Sequence, residues 1–80
     1  MTEGSTGEGK RDALPALRLT PREREVLRHI VEGESDIEIA RALGLRPRTV
    51  SEHVGNLLAK TKLPNRAALA VYAVRNGLTD

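Results

Sequence analysis

Four stretches of this chain repeat apolar residues at helical spacing, each bracketed by start and stop signals. In the first, Val26, Leu27, Ile30 and Val31 fall on one stripe of a helix. Ahead of them, Thr20-Pro21-Arg22-Glu23 reads as a capping box. The Thr20 hydroxyl accepts from the third helical amide, and Glu23 accepts from the amide of the cap residue. Proline at the first helical position loses nothing, because that N–H has no partner within a helix. Gly33 ends the helix. A second capping box, Ser35 with Glu38, opens a short helix whose inner face is Ile39, Ala40 and Leu43.

Gly44 then breaks the pattern, and Pro47 opens a longer helix with Val50, Val54, Leu57 and Leu58 on one side. Leu63-Pro64 closes that segment. Asn65 caps a fourth helix that runs to Asn76, with Gly77 at the position just past its end. The expected fold is all-α: a small four-helix domain around one core. Within it, a short helix, a glycine turn and a second helix over about 36–55 have the layout of a helix-turn-helix, whose second helix can enter the DNA major groove.

Residues 1–17 read differently. Gly4, Ser5, Gly7 and Gly9 stand among Thr and Glu, followed by Lys10-Arg11-Asp12 and Pro15. That composition buries too little apolar surface to offset ordering entropy, so a flexible tail or linker is expected, with the domain over 18–80. Eighty residues allow one domain at most. Without cysteine there is neither a disulfide framework nor a thiolate metal site. No signal-peptide pattern and no apolar run of membrane-spanning length is visible, so a soluble cytoplasmic protein is expected. Tyr72 is the sole aromatic residue, which argues against stacking-based recognition of single strands.

Net charge is only +2, but its distribution is uneven. Over residues 23–38, Glu23, Glu25, Glu32, Glu34, Asp36 and Glu38 outnumber Arg24 and Arg28. Over residues 41–66, Arg41, Arg46, Arg48, Lys60, Lys62 and Arg66 stand against Glu52 alone. A basic half that contains the second helix of a helix-turn-helix suits phosphate; an ordinary solvated surface is the bland alternative.

With the apolar stripe of the third helix inward, Arg48, Ser51, Glu52 and Gly55 face out. Ser51, Glu52 and Gly55 are the candidates for base readout. Ser51 reads weakly, because a hydroxyl suits several base edges. Glu52 can accept from cytosine N4, or can merely pair with Arg48 one turn away. Gly55 either admits close approach of DNA or another helix, or has no role. Arg46, Arg48, Thr49, Lys60, Lys62 and Arg66 are the phosphate candidates, which position the protein without reading sequence. His29 and His53 have no partner at ligand spacing and no nucleophile beside them, so neither a metal site nor catalysis is expected. No glycine pattern fits a phosphate or dinucleotide loop, and no cofactor or small-molecule ligand is expected.

The fourth helix holds an unbroken apolar run from Ala67 to Val74. Leu69, Tyr72 and Ala73 form one stripe; Ala67, Ala70, Val71 and Val74 form another. So small a domain can bury only one of them, so the second is the candidate homodimer contact, an exposed patch being the alternative.

These segments together resemble the LuxR-type (GerE-type) DNA-binding domain of bacterial transcription regulators. The likeness is carried by Leu19 through Leu27, by Glu38-Ile39-Ala40 with Leu43-Gly44-Leu45, and by Arg48-Thr49-Val50 with His53-Val54. Asn65-Arg66, Tyr72-Ala73 and Gly77-Leu78 complete it. The resemblance implies a domain that binds double-stranded DNA, with the third helix as recognition helix and the fourth in a dimer. It also implies the output module of a response regulator or ligand sensor, or else a stand-alone regulator; RNA polymerase is a further candidate partner.

Several positions depart from the family pattern. Arg46 stands where a small cap is usual, and Ser51 and Gly55 where basic or polar groups are frequent. Asp36-Ile37 replaces a common Asn-Lys, and Glu52 adds a negative charge. Two alternatives therefore stay open. One is a helix-turn-helix whose DNA face has decayed into a protein-interaction module. The other is a sigma-factor-like promoter-recognition domain, against which the closing helix from Asn65-Arg66 to Gly77-Leu78 speaks.

Overall fold

The computed structural model describes residues 18–78. The tail expected over 1–17 lies outside them. Among the described residues are four helices and no strand: α1 (Pro21–Val31), α2 (Asp36–Leu43), α3 (Pro47–Thr61) and α4 (Arg66–Arg75). This is the all-α fold that the periodicity predicts.

The helix ends follow the local chemistry. Thr20 Oγ1 accepts from the Glu23 amide at 3.0 Å, and Glu23 Oε1 accepts from the Thr20 amide at 3.0 Å. Ser35 and Glu38 make the same reciprocal pair at 3.2 and 2.8 Å. Asn65 Oδ1 accepts from the Ala68 amide at 2.9 Å and starts α4. Gly44 ends α2 in left-handed backbone at φ 70°, where a side chain would be strained. The Leu45 amide then reaches back to the Ala40 carbonyl at 2.9 Å, which turns the chain into α3.

The core is one cluster drawn from all four helices. Val26, Leu27 and Ile30 of α1 meet Ile39 and Ala40 of α2, Val50, Val54 and Leu57 of α3, and Leu69 and Ala73 of α4. Leu78 closes one end, its amide bonded to the Ala73 carbonyl at 3.0 Å and its own carbonyl accepting from Arg24 at 3.0 Å. Val31, Leu43 and Leu58, expected on the buried faces, sit at the rim of this cluster and stay half-buried. The inner faces of α3 and α4 are thereby fixed, and so are the faces that look outward.

Candidate nucleic-acid interface

Burying Val50, Val54 and Leu57 turns the opposite side of α3 to solvent. Arg48, Ser51, Glu52 and Gly55 are all exposed there, as are Arg46 before the helix and Lys62 after it; Thr49 is half-buried. No ion pair joins Arg48 to Glu52, although they are one turn apart. The Glu52 carboxylate is in no ion pair among the described residues.

The first turn of α3 is unlike those of the other helices. Arg46 takes the extended cap conformation but its side chain caps nothing. Pro47 has no N–H, and the first backbone bond of the helix runs from the Val50 amide to the Arg46 carbonyl at 3.1 Å. The Arg48 and Thr49 amides thus point out of the helix end without a partner among the described residues. Unpaired amides at a helix N-terminus carry partial positive charge, here reinforced by two arginines.

Two of the expected phosphate residues hold carboxylates within the chain. Lys60 Nζ lies 2.6 Å from Glu23 Oε1 and also donates to the Arg18 carbonyl at 3.0 Å. Arg66 Nη1 lies 2.7 Å from Asp36 Oδ1 while its Nη2 donates to the Glu34 carbonyl at 3.1 Å. The reason is geometric for Lys60. It follows His53 and Leu57 at helical spacing, which puts it beside the buried stripe rather than on the open face. That spacing is a signal available in the sequence. Arg66 meets Asp36 across 30 residues of chain, for which sequence spacing gives no clue. The pairing also neutralises Asp36, one of the charges that motivate the decayed-face alternative.

Glu23 is 4% exposed. Burial pushes its carboxyl upward, but the hydrogen bond from Lys60, the Thr20 amide and the Lys60 charge outweigh that and hold it below the usual 4.5. His53 is half-buried on α3.

Gly55 has no internal reason to be glycine. A Cβ built there meets nothing within 4 Å, so close approach of another helix of this chain is not the explanation. Glycine inside a helix costs about 1 kcal/mol against alanine. Lys62 shows the reverse. It sits in left-handed backbone at φ 58° and ψ 35°, which disfavours a side chain by roughly 1–2 kcal/mol.

On α4, Leu69 and Ala73 are fully buried while Val71 and Val74 are 49% and 61% exposed. Ala67 is exposed and Ala70 half-buried on the same side. With Val31 of α1, the residues Ala70, Val71 and Val74 line a shallow open groove.

A model of the GerE family, described as bacterial regulatory proteins of the luxR family, matches residues 17–73. The chain belongs to the luxR family of bacterial regulatory proteins. The match takes in all of α1, α2 and α3 and most of α4, so the helix-turn-helix described above is that of a DNA-binding domain of transcription regulators, not of a sigma factor. The chain is 46% identical over 61 residues to the transcriptional regulatory protein YhcZ of Bacillus subtilis, covering 76% of this chain and 28% of YhcZ. It is 42% identical over 69 residues to the transcriptional regulatory protein LiaR of the same organism, covering 86% of this chain and 33% of LiaR. The regulatory protein SdiA of Escherichia coli is 38% identical over 64 residues, with 80% of this chain and 27% of SdiA covered. The luxR-family chain thus spans a third or less of the length of these relatives. They are named as regulators, not enzymes. Among the described residues, no three His, Cys, Asp or Glu side chains group to hold a metal ion. No helix among them is long and apolar enough to cross a membrane.

Proposed function

We propose that this domain binds double-stranded DNA by sequence, with α3 in the major groove, and so regulates transcription in the bacterial cytoplasm. The observation that carries the reading is the α3 surface. An uncapped, arginine-flanked helix end leads into an exposed polar face, on a fold whose family regulates transcription. The unpaired Arg48 and Thr49 amides suit a phosphate oxygen, with Arg46, Arg48 and Thr49 side chains around it. Lys62 serves a second phosphate at the far end. Lys60 and Arg66 are left out of this set because their head groups already hold Glu23 and Asp36.

Ser51, Glu52 and Gly55 then face the bases. A carboxylate in the groove needs a donor, which cytosine N4 supplies. Outside the groove, the Ala67, Ala70, Val71 and Val74 face of α4 pairs two copies about a two-fold axis on a palindromic site. A groove between two such short helices falls below the roughly 1,200 Å² of a stable interface, so the pair forms on DNA rather than free. In the longer proteins to which such domains belong, this domain is the output module, and RNA polymerase is the partner at the promoter.

Selection from a random pool of duplexes at two salt concentrations tests the reading. Enriched inverted repeats with half-sites about one helical turn apart are expected. No retention even at low salt would reject it in favour of a protein-interaction module.

A further inference from the structure

Two departures from the family pattern, Asp36 and Ile37, open α2 rather than α3. Burying Ile39 and Ala40 turns Ile37, Glu38, Arg41 and Ala42 to solvent. Ile37 is 59% exposed and lies outside the core cluster. One exposed isoleucine is ordinary on a protein surface. This one occupies the first turn of a helix, where the dipole favours an acidic or polar side chain. Two shallow depressions meet beside it. Glu34 and Glu38 line both, Ile37 borders the first and Ala42 the second.

The carboxylates of this face are held in place by local bonds. Glu34 Oε1 lies 2.8 Å from His29 Nδ1, and Glu38 Oε1 accepts from the Ser35 amide at 2.8 Å. Arg66 covers Asp36, Glu32 adds a further charge in the preceding turn, and Arg41 opposes them from the next turn of α2. The surface is apolar at its centre and acidic around it, opposite in sign to the Arg46 and Arg48 end of α3. Ile37 and Gly44 are nevertheless only about 10 Å apart along α2, and α3 starts just beyond Gly44. A partner seated on Ile37 therefore stands beside the duplex, on a surface that repels phosphate. The fitting occupant is a protein with a cationic surface and an apolar notch, held on the same DNA. RNA polymerase, the partner named above for the promoter, meets these conditions, because proteins that hold a duplex do so through cationic surfaces.

We infer that the outer face of α2 docks RNA polymerase beside the bound site, with Ile37 buried in the contact and Glu34 and Glu38 around it. The inference rests on the DNA-binding reading above and adds a second working face: α3 for the duplex, α2 for the protein next to it. Asp36 and Ile37 then belong to a protein contact and not to a decayed DNA face.

Ile37→Lys and Glu38→Gln test it in the whole chain. Glutamine keeps the capping box while removing the charge, and an exposed position tolerates lysine. The probe is purified bacterial RNA polymerase holoenzyme. Its occupancy is measured on fragments carrying the duplex motif that wild type selects, set at several distances upstream of a weak promoter. Wild type should raise polymerase occupancy about tenfold, at spacings that recur with the helical turn. Ile37→Lys should abolish the gain and Glu38→Gln should reduce it. Without polymerase, both variants should bind the motif with the affinity and salt slope of wild type. Recruitment by Ile37→Lys equal to that of wild type overturns the inference, as does a wild type that binds the motif and recruits at no spacing. A salt slope steeper by about 0.9 in Ile37→Lys overturns it too, because the new cation would then be meeting phosphate. Loss of cooperative filling of a full palindromic site by Ile37→Lys overturns it in favour of a contact between two copies. Wild type that retains no duplex at low salt is a distinct outcome, which removes the DNA reading and this inference with it.

Discussion

Helices α1 and α3 begin around the same Pro-Arg pair, in Thr20-Pro21-Arg22-Glu23 and Arg46-Pro47-Arg48-Thr49, and end up in opposite situations. Proline fixes the first helical residue in both. At α1 the cap hydroxyl and the Glu23 carboxylate close the helix end on itself, and Lys60 then seals Glu23 into the fold. At α3 the cap position is an arginine that caps nothing, the third residue is Thr49 rather than a glutamate, and the end stays open to solvent. A helix end that the chain itself does not finish is left for something else to finish. In the function proposed for this luxR-family domain that something is a phosphate. The contrast also shows why the formal charge of +2 says so little. Lys60 and Arg66 hold carboxylates inside the fold, while Arg46 and Arg48 are in no ion pair among the described residues.

The largest expected effect comes from breaking the closed end. Glu23→Ala removes the carboxylate from the Thr20 amide and from Lys60, and should lower stability by about 2–3 kcal/mol by urea unfolding. Lys60 retains access to water, which keeps the loss below that of a fully enclosed pair. Protonation does the same more gently. Because the folded-state pKa of Glu23 lies below 4.5, its contribution is complete above that pH and fades as pH falls through the lower folded value. Glu23→Gln should therefore flatten the stability profile in that acid range and leave its shape near neutrality unchanged.

Next comes closing the open end. Arg46→Ser supplies the missing cap, and should stabilise the domain by about 1 kcal/mol while weakening DNA binding. Equal or tighter binding by this variant would mean that the open end of α3 is not a phosphate site. The smallest effect on stability is expected from Val71→Glu, which touches neither helix end and lies on the exposed side of α4. Stability should stay within about 0.5 kcal/mol, yet cooperative filling of a full palindromic site should vanish with half-site binding intact. Unchanged cooperativity would place the dimer contact elsewhere.

How much of this is legible in the sequence depends on how far apart the interacting residues are. Thr20 with Glu23, Ser35 with Glu38 and Asn65 with Ala68 are three residues apart, so local rules locate three helix starts. The stops at Gly33, Gly44 and Gly77 are equally local, each with positive φ. The two stripes of α4 are legible because a small core has room for one, and Leu69 and Ala73 take it. What spacing does not reveal is pairing across the fold. Lys60 meets Glu23 over 37 residues and Arg66 meets Asp36 over 30, so both of these expected phosphate residues hold carboxylates inside the fold. The rim positions of Val31 and Leu58 are of the same kind, since a stripe gives the face but not the depth to which the neighbouring helix covers it.

The central claim is that the unfinished end of α3 is where the domain holds the DNA backbone. The salt dependence of binding to a mixed-sequence duplex addresses it directly, measured for wild type and for Arg46→Ala combined with Arg48→Ala. Each phosphate contact contributes about 0.9 to the log–log slope. The double variant should show a slope smaller by about 1.8, which follows from losing two such contacts. A slope equal to that of wild type would contradict it.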